Sequence, residues 1–184
     1  MTTVYFIRHA ESDTNVRDRE IRPLTEKGLQ DAKSITSLFR EIKVDRIYSS
    51  PYKRAVDTVS PLADMRKLDI TIIDDFKERR SDSIKSIELT ELIKQQWNDF
   101  SYTLSDGECY SEVQQRNIKA LHRVLSENEG GTVVIGTHGI SLCTVMNFYR
   151  PISLRDLGRI LLTMPYIVRV RFDGENFIDL EELM

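Results

Sequence analysis

Apolar and polar positions along this chain switch repeatedly between the period of a buried strand and that of a half-buried helix. Val4, Tyr5, Phe6 and Ile7 form a continuous run of aromatic and β-branched residues, which suits a strand covered on both faces. A polar stretch from Glu11 to Arg22 follows, then PLTEKG at 23–28. Thr25 is the predicted N-cap of a helix reaching Ile42. Ala32, Ile35, Leu38, Phe39 and Ile42 recur along it at three- and four-residue steps. Val44 to Tyr48 reads as a second strand ending in Ser49-Ser50-Pro51, Arg54 to Ala63 as a helix, and Ile70 to Ile73 as a third strand. Helices are expected over Ser86–Phe100 and Ser111–Glu127, separated by a loop containing Ser105-Asp106-Gly107. Thr132 to Ile135 predicts another buried strand, closing on Gly136-Thr137-His138-Gly139 before a helix from Ile140 to Tyr149. Leu161–Met164, Ile167–Phe172 and Phe177–Leu180 read as terminal strands, the last two joined by an Asp173-Gly174 turn.

Strands alternating with helices predict an α/β three-layer sandwich. Its sheet is mostly parallel, with helices on both faces and an antiparallel C-terminal edge. The 184 residues fit one domain spanning 1–184. Composition changes this picture little. The 26 basic and 29 acidic residues leave a formal charge of −3, which gives no pull toward nucleic acid. No basic segment followed by an apolar core opens the sequence, and Ile160–Val168 is too short and too interrupted to span a bilayer. Cys109 and Cys143 lack metal-ligand spacing and read as two reduced thiols of a cytoplasmic protein. Nothing in the pattern sets an oligomeric state.

Three strand ends carry chemistry instead of ordinary turn residues. Arg8-His9 follows the first, Ser50-Pro51 with Arg54 the second, and Thr137-His138-Gly139 the fourth. Parallel strands bring their C-terminal ends to one edge, where open α/β sheets bind ligands, so these residues are expected to converge. Two guanidinium groups suit a phosphate, one histidine can attack phosphorus, and the other can donate to the anion. No metal or cofactor is needed for that chemistry.

These residues resemble the histidine phosphatase superfamily, also called the phosphoglycerate mutase-like family, over nearly the whole chain. RHAES at 8–12 is similar to its Arg-His-Gly-Glu-Thr signature, and PLTEKG at 23–28 to its Pro-Leu-Thr-x-x-Gly. Ser49-Ser50-Pro51 with Arg54-Ala55 resembles the second arginine block, Gly107-Glu108 the Gly-Glu-Ser block, and Gly136–Gly139 the second-histidine block. The resemblance implies a phosphohistidine intermediate on His9. Arg8, Asn15, Arg54 and His138 would hold the phosphoryl oxygens. A carboxylic acid shortly after the third strand would protonate the leaving alkoxide and then activate water. Glu78 is the best match, with Asp74, Asp75 and Asp82 as competitors. The sequence departs from the family at Ala10, where glycine is usual. It departs again at Arg79-Arg80-Ser81-Asp82-Ser83, which replaces a Gly-aromatic-Glu-Gly pattern, and at Cys109.

Other candidates have blander readings. Arg79 and Arg80 read as solvated, His122 as surface, and Trp97 as core or groove wall. The expected activity is hydrolysis of phosphomonoesters of small metabolites, with no nucleic-acid or membrane partner. The alternatives are a mutase, a phosphoprotein phosphatase or a non-catalytic phospho-ligand binder. The short chain leaves little room for a closing lid, which favours water as the acceptor. Arg17, Arg19, Arg22 and the 78–110 region are the expected source of specificity.

Overall fold

The computed structural model describes residues 1–80, 86–104 and 107–184, those of 86–88 by backbone alone. Asp82 and the loop residues Ser105 and Asp106 lie outside the described residues. In chain order the elements are β1 (Thr2–Arg8), α1 (Glu26–Ile35), β2 (Arg46–Ser49), α2 (Lys53–Arg66), β3 (Ile70–Ile72), α3 (Ser86–Asn98), α4 (Tyr110–Glu127), β4 (Thr132–Thr137), α5 (Gly139–Tyr149), α6 (Leu154–Leu162), β5 (Tyr166–Asp173) and β6 (Asn176–Glu182). The strands form one sheet in the order β3-β2-β4-β1-β5-β6. β1 to β4 run parallel, while β5 is antiparallel to β1 and β6 to β5.

The period-2 alternation within the apolar runs decides which face each side chain meets. Tyr5, Ile7, Ile47 and Val134 point into one core with Ile35, Phe39, Val59 and Leu62 from the α1–α2 side. Val4, Phe6, Val133 and Ile135 point into the opposite core, with Leu121, Val124 and Leu142 from α4 and α5. Burial on both faces is what the unbroken apolar strands require; each fully buried large side chain contributes about 1.5–3 kcal/mol. Trp97 belongs to the second core, as expected, and its indole N–H donates to the Ile152 carbonyl at 3.0 Å.

Thr25 caps α1 by accepting from the Gly28 N–H at 3.0 Å. Gly28 is needed there because a Cβ would fall 2.1 Å from the Glu11 carbonyl oxygen. α1 stops short of the expected Ile42. Ser34, Thr36 and Ser37 bond back to the carbonyls of Gln30, Lys33 and Ser34, and the chain tightens into a 3-10 turn over Thr36–Phe39.

The larger correction lies at the C-terminal side, where Leu161–Met164 is no strand. Ser153 caps a helix by accepting from the Asp156 N–H at 3.1 Å, and Leu157 and Ile160 bury its inner face. Pro165 then prevents continuation. The hairpin turn falls one residue later than expected, at Gly174-Glu175, with Gly174 at φ +58. Among the described residues no helix is long and apolar enough to cross a membrane.

Candidate active site

Sheet register brings the three strand ends level. Arg8 pairs with Thr137 across β1 and β4, and Ser49 with Gly136 across β2 and β4. The ladder extends one residue further, with the His9 N–H donating to Thr137 O at 3.0 Å and the Ser50 N–H to Gly136 O at 2.9 Å. Gly136 permits the close approach of α2, because a Cβ there would sit 2.9 Å from Ser49 Oγ and 3.1 Å from the Ala55 carbonyl. His9 and His138 consequently lie ring beside ring, 5.3 Å between centroids and 62° between planes. Tyr52 packs on His138 at 5.2 Å, and the Arg54 guanidinium lies 5.0 Å over the Tyr52 ring.

The protonation state of His9 follows from its surroundings. Its Nδ1 lies 2.7 Å from the Ala10 carbonyl oxygen, which can only accept, so Nδ1 carries the hydrogen and Nε2 keeps its lone pair. Burial is the largest effect on its pKa and, with the charges of Arg54, Arg8 and Arg22, lowers it to about 3 against the pull of the Ala10 bond. The imidazole is thus neutral at physiological pH, with a bare nitrogen among cations. The Ala10 N–H donates to Thr58 Oγ1 at 2.9 Å, which donates to the Arg54 carbonyl at 2.7 Å. Ala10 replaces a glycine without strain, since Lys67 is the only non-glycine with positive φ among the described residues.

His138 is fully buried, and burial above all, then His9 and the arginines, lowers its pKa well below the ordinary value. Its Nε2 lies 2.7 Å from Ser50 Oγ. That oxygen already accepts the Tyr52 N–H at 3.2 Å, and His138 Nε2 is its one acceptor among the described residues, so the hydroxyl hydrogen points at Nε2. The ring proton is left on Nδ1, which is buried without a partner. A buried donor in that state costs about 1–3 kcal/mol until an acceptor arrives.

Both arginines are anchored at one end by backbone carbonyls. Arg8 donates through Nη1 to Ile160 O and Thr163 O, each at 2.7 Å, so it caps the C-terminus of α6. Its Nε is buried without a partner and lies against Gly139, where a Cβ would come within 3.2 Å. Arg54 donates through Nη1 to Arg19 O at 2.6 Å; burial lowers its pKa to about 10, with Glu78 opposing.

Glu78 meets His138 at one helix end. His138 is the N-cap residue of α5. The carboxylate of Glu78 accepts from the next N–H groups, Ile140 at 3.1 Å and Ser141 at 3.2 Å, and from Arg79 N–H at 2.9 Å. Of its competitors, Asp74 is exposed and paired with Lys77 at 2.6 Å. Asn15 is exposed, its amide donating to Asp13 Oδ1 at 2.9 Å, and no bond ties it to the histidines.

Arg79 overturns its solvated reading. It is 3% exposed, donates to the Arg80 and Glu108 carbonyls at 3.3 and 3.2 Å, and faces the Tyr110 ring. Tertiary contact with the 107–110 segment, invisible in a local pattern, draws it in. Arg80 is exposed as expected. His122 is half-buried and lies 3.2 Å from Glu175.

Two residues escaped the sequence reading. Ser50 stood in a quoted block without a role, and only its 2.7 Å contact reveals one. Arg116 carries no sequence signal at all. It donates to the Asp75 and Lys77 carbonyls at 2.6 and 2.7 Å and pairs with Glu108 at 2.7 Å, fixing the segment that presents Glu78. Burial, the largest single effect, would raise the Glu108 pKa, but the bond and charge of Arg116 together with those of Arg80 outweigh it and hold the carboxyl below its usual range.

Known proteins resemble this chain in sequence and in fold. Phosphoglycerate mutase-like protein 4 of Arabidopsis thaliana is 27% identical over 190 residues, covering 95% of this chain and 81% of that protein. The metal-independent phosphoserine phosphatase of the same plant is 26% identical over 194 residues, covering 97% and 80%. The solved structure of Bacillus stearothermophilus YhfR superimposes with a TM-score of 0.79 at 28% identity, covering 97% of this chain and 95% of that one. The sequence profile of the histidine phosphatase superfamily (branch 1) matches residues 4–181, and the chain belongs to that superfamily.

Proposed function

We propose that this protein is a phosphomonoesterase of small phosphorylated metabolites, working in the cytoplasm as one catalytic domain through a phosphohistidine on His9. The observation that carries this reading is the His9 ring itself. Its Nδ1–H is tied to the Ala10 carbonyl at 2.7 Å and its Nε2 stays unprotonated beside Arg8, Arg54 and His138. That Nε2 lone pair attacks phosphorus while the P–O bond to the alcohol breaks. Glu78, which takes up a proton when the anionic ester enters beside it, passes that proton to the departing oxygen. Arg8 Nε and His138 Nδ1, the buried donors without partners, take up the negative oxygens together with Arg54. Glu78, now a carboxylate, removes a proton from water; the hydroxide attacks the phosphohistidine, and phosphate leaves as the Nε2 lone pair is restored. The guanidinium groups supply charge that a metal would bring elsewhere.

The relative named as a phosphoserine phosphatase supports both the substrate class and water as the acceptor. Rapid quenching in base during turnover should trap a phosphoryl adduct that acid releases, and His9→Ala should show neither adduct nor turnover. Prolonged chelation should leave the rate unchanged. A His9→Ala protein with near-native phosphate release, or activity restored only by added divalent metal, would overturn the reading.

A further inference from the structure

Beyond Glu78 the site opens into an apolar compartment. A cavity of about 160 Å³ has Arg19, Glu78 and Arg79 at its polar end and Ile93 and Leu161 among its apolar walls. Ile93 and Leu161 also wall a cavity of about 350 Å³ that lies between α3 and α6, past Leu157 and Gly158 to Leu162. The two are consecutive parts of one groove that starts at the carboxylate.

Two features separate this groove from ordinary surface. Leu162 is 85% exposed at its outer end. Gly158 sits inside α6, where glycine costs about 0.8–1 kcal/mol relative to alanine. Packing does not demand glycine there, because a Cβ at that position would meet nothing within 4 Å. The missing side chain keeps the groove open.

The mechanism supplies a direction. If Glu78 protonates the leaving oxygen, the carbon bound to that oxygen begins at the polar end of the first cavity. The remainder of the alcohol then leads out past Ile93 and Leu161. We infer that the groove is the leaving-group subsite and that the preferred substrates are phosphomonoesters of alcohols with an extended apolar body, in contrast to short zwitterionic esters. This inference rests on the phosphatase reading above.

The test is a homologous series of ethyl, butyl and octyl phosphate, kept below their aggregation concentrations, with phosphoserine alongside. kcat/KM should rise about threefold to fourfold per methylene until the groove is filled, the worth of burying one CH₂ group. Phosphoserine should fall near the ethyl ester. Gly158→Leu places a better helix former in α6 and fills the floor. It should reduce the octyl-to-ethyl ratio by on the order of tenfold or more, as expected from displacing a few buried methylenes. Gly158→Ala, a single methyl, should retain most of that ratio. A flat series in which every ester is hydrolysed overturns the groove assignment and leaves the phosphatase reading standing. An unchanged ratio in Gly158→Leu protein with a native thermal midpoint does the same. Release from none of the esters, phosphoserine included, removes both.

Discussion

The two halves of the site are held in place by different means. His9, Ser50 and His138 each stand one residue past a parallel strand, and the ladder continues into them through the His9 and Ser50 N–H bonds. Their positions are inherited from the register of β1, β2 and β4. Glu78 stands on a segment outside any strand or helix, pinned by Arg116 through the Asp75 and Lys77 carbonyls and by the N-terminus of α5. The first half is rigid because the sheet is rigid. The second is only as accurate as the side chains that hold it.

This division predicts two kinds of damage, and the largest separates them. Glu78→Gln keeps the size of the side chain and removes its proton. An alkoxide is a very poor leaving group, so turnover of an alkyl phosphate should fall roughly 10²–10⁴-fold, the usual worth of general acid catalysis. Nitrophenolate departs without a proton. With p-nitrophenyl phosphate the first step should therefore survive and only dephosphorylation slow, visible in rapid mixing as a burst of nitrophenol. Glutamine keeps one oxygen for the α5 N-terminus, so the loss in stability should stay near 1 kcal/mol. Equal slowing of both esters without a burst would assign the proton to another carboxylate.

Damage to the strand-end half should ignore the leaving group. If Arg54 holds the phosphoryl oxygens as proposed, Arg54→Ala should lower kcat by on the order of 10²–10³ for both esters alike. Arg54→Lys should recover part of this, because an ammonium cannot reproduce a planar two-point contact. Loss of thermal stability with intact turnover would make Arg54 a structural residue that merely holds the Arg19 carbonyl.

The same division explains what the sequence could reveal. Phe6-Ile7-Arg8-His9 announces a buried strand and the chemistry at its end within four residues, and parallel topology does the rest. Thr25 was readable because a cap is local, its hydroxyl accepting from the Gly28 N–H three residues on. Arg79 was not, since its burial depends on Glu108, nearly thirty residues on. Arg116 was equally hidden among the polar residues of an amphipathic helix. α6 was misread because Leu161 to Met164 looks like a strand once the Ser153 cap and the buried Leu157 and Ile160 are overlooked. Short apolar runs do not separate strand from helix by themselves.

The finest effect concerns Ser50, which asks how far rigidity at the strand ends extends into protonation. Backbone register fixes where the His138 ring stands, but it cannot choose which nitrogen carries hydrogen. That choice falls to the Ser50 hydroxyl, donating to Nε2 at 2.7 Å and leaving Nδ1–H as the buried donor without a partner, which the proposed mechanism turns toward phosphate. Ser50→Ala removes the constraint, and kcat should fall about tenfold, equivalent to roughly 1.4 kcal/mol, the scale of one fixed hydrogen bond. Both esters should suffer equally, because the leaving group is not involved. Ser50→Thr retains the hydroxyl and should recover the rate. The chain has 3 histidines, so ring-nitrogen NMR can read the tautomers directly. In the native protein His138 should show a protonated Nδ1 and an accepting Nε2, and in Ser50→Ala a shift toward the other form. A native His138 protonated at Nε2 would mean that the serine accepts rather than donates, and the tautomer argument would fall while the register argument stood.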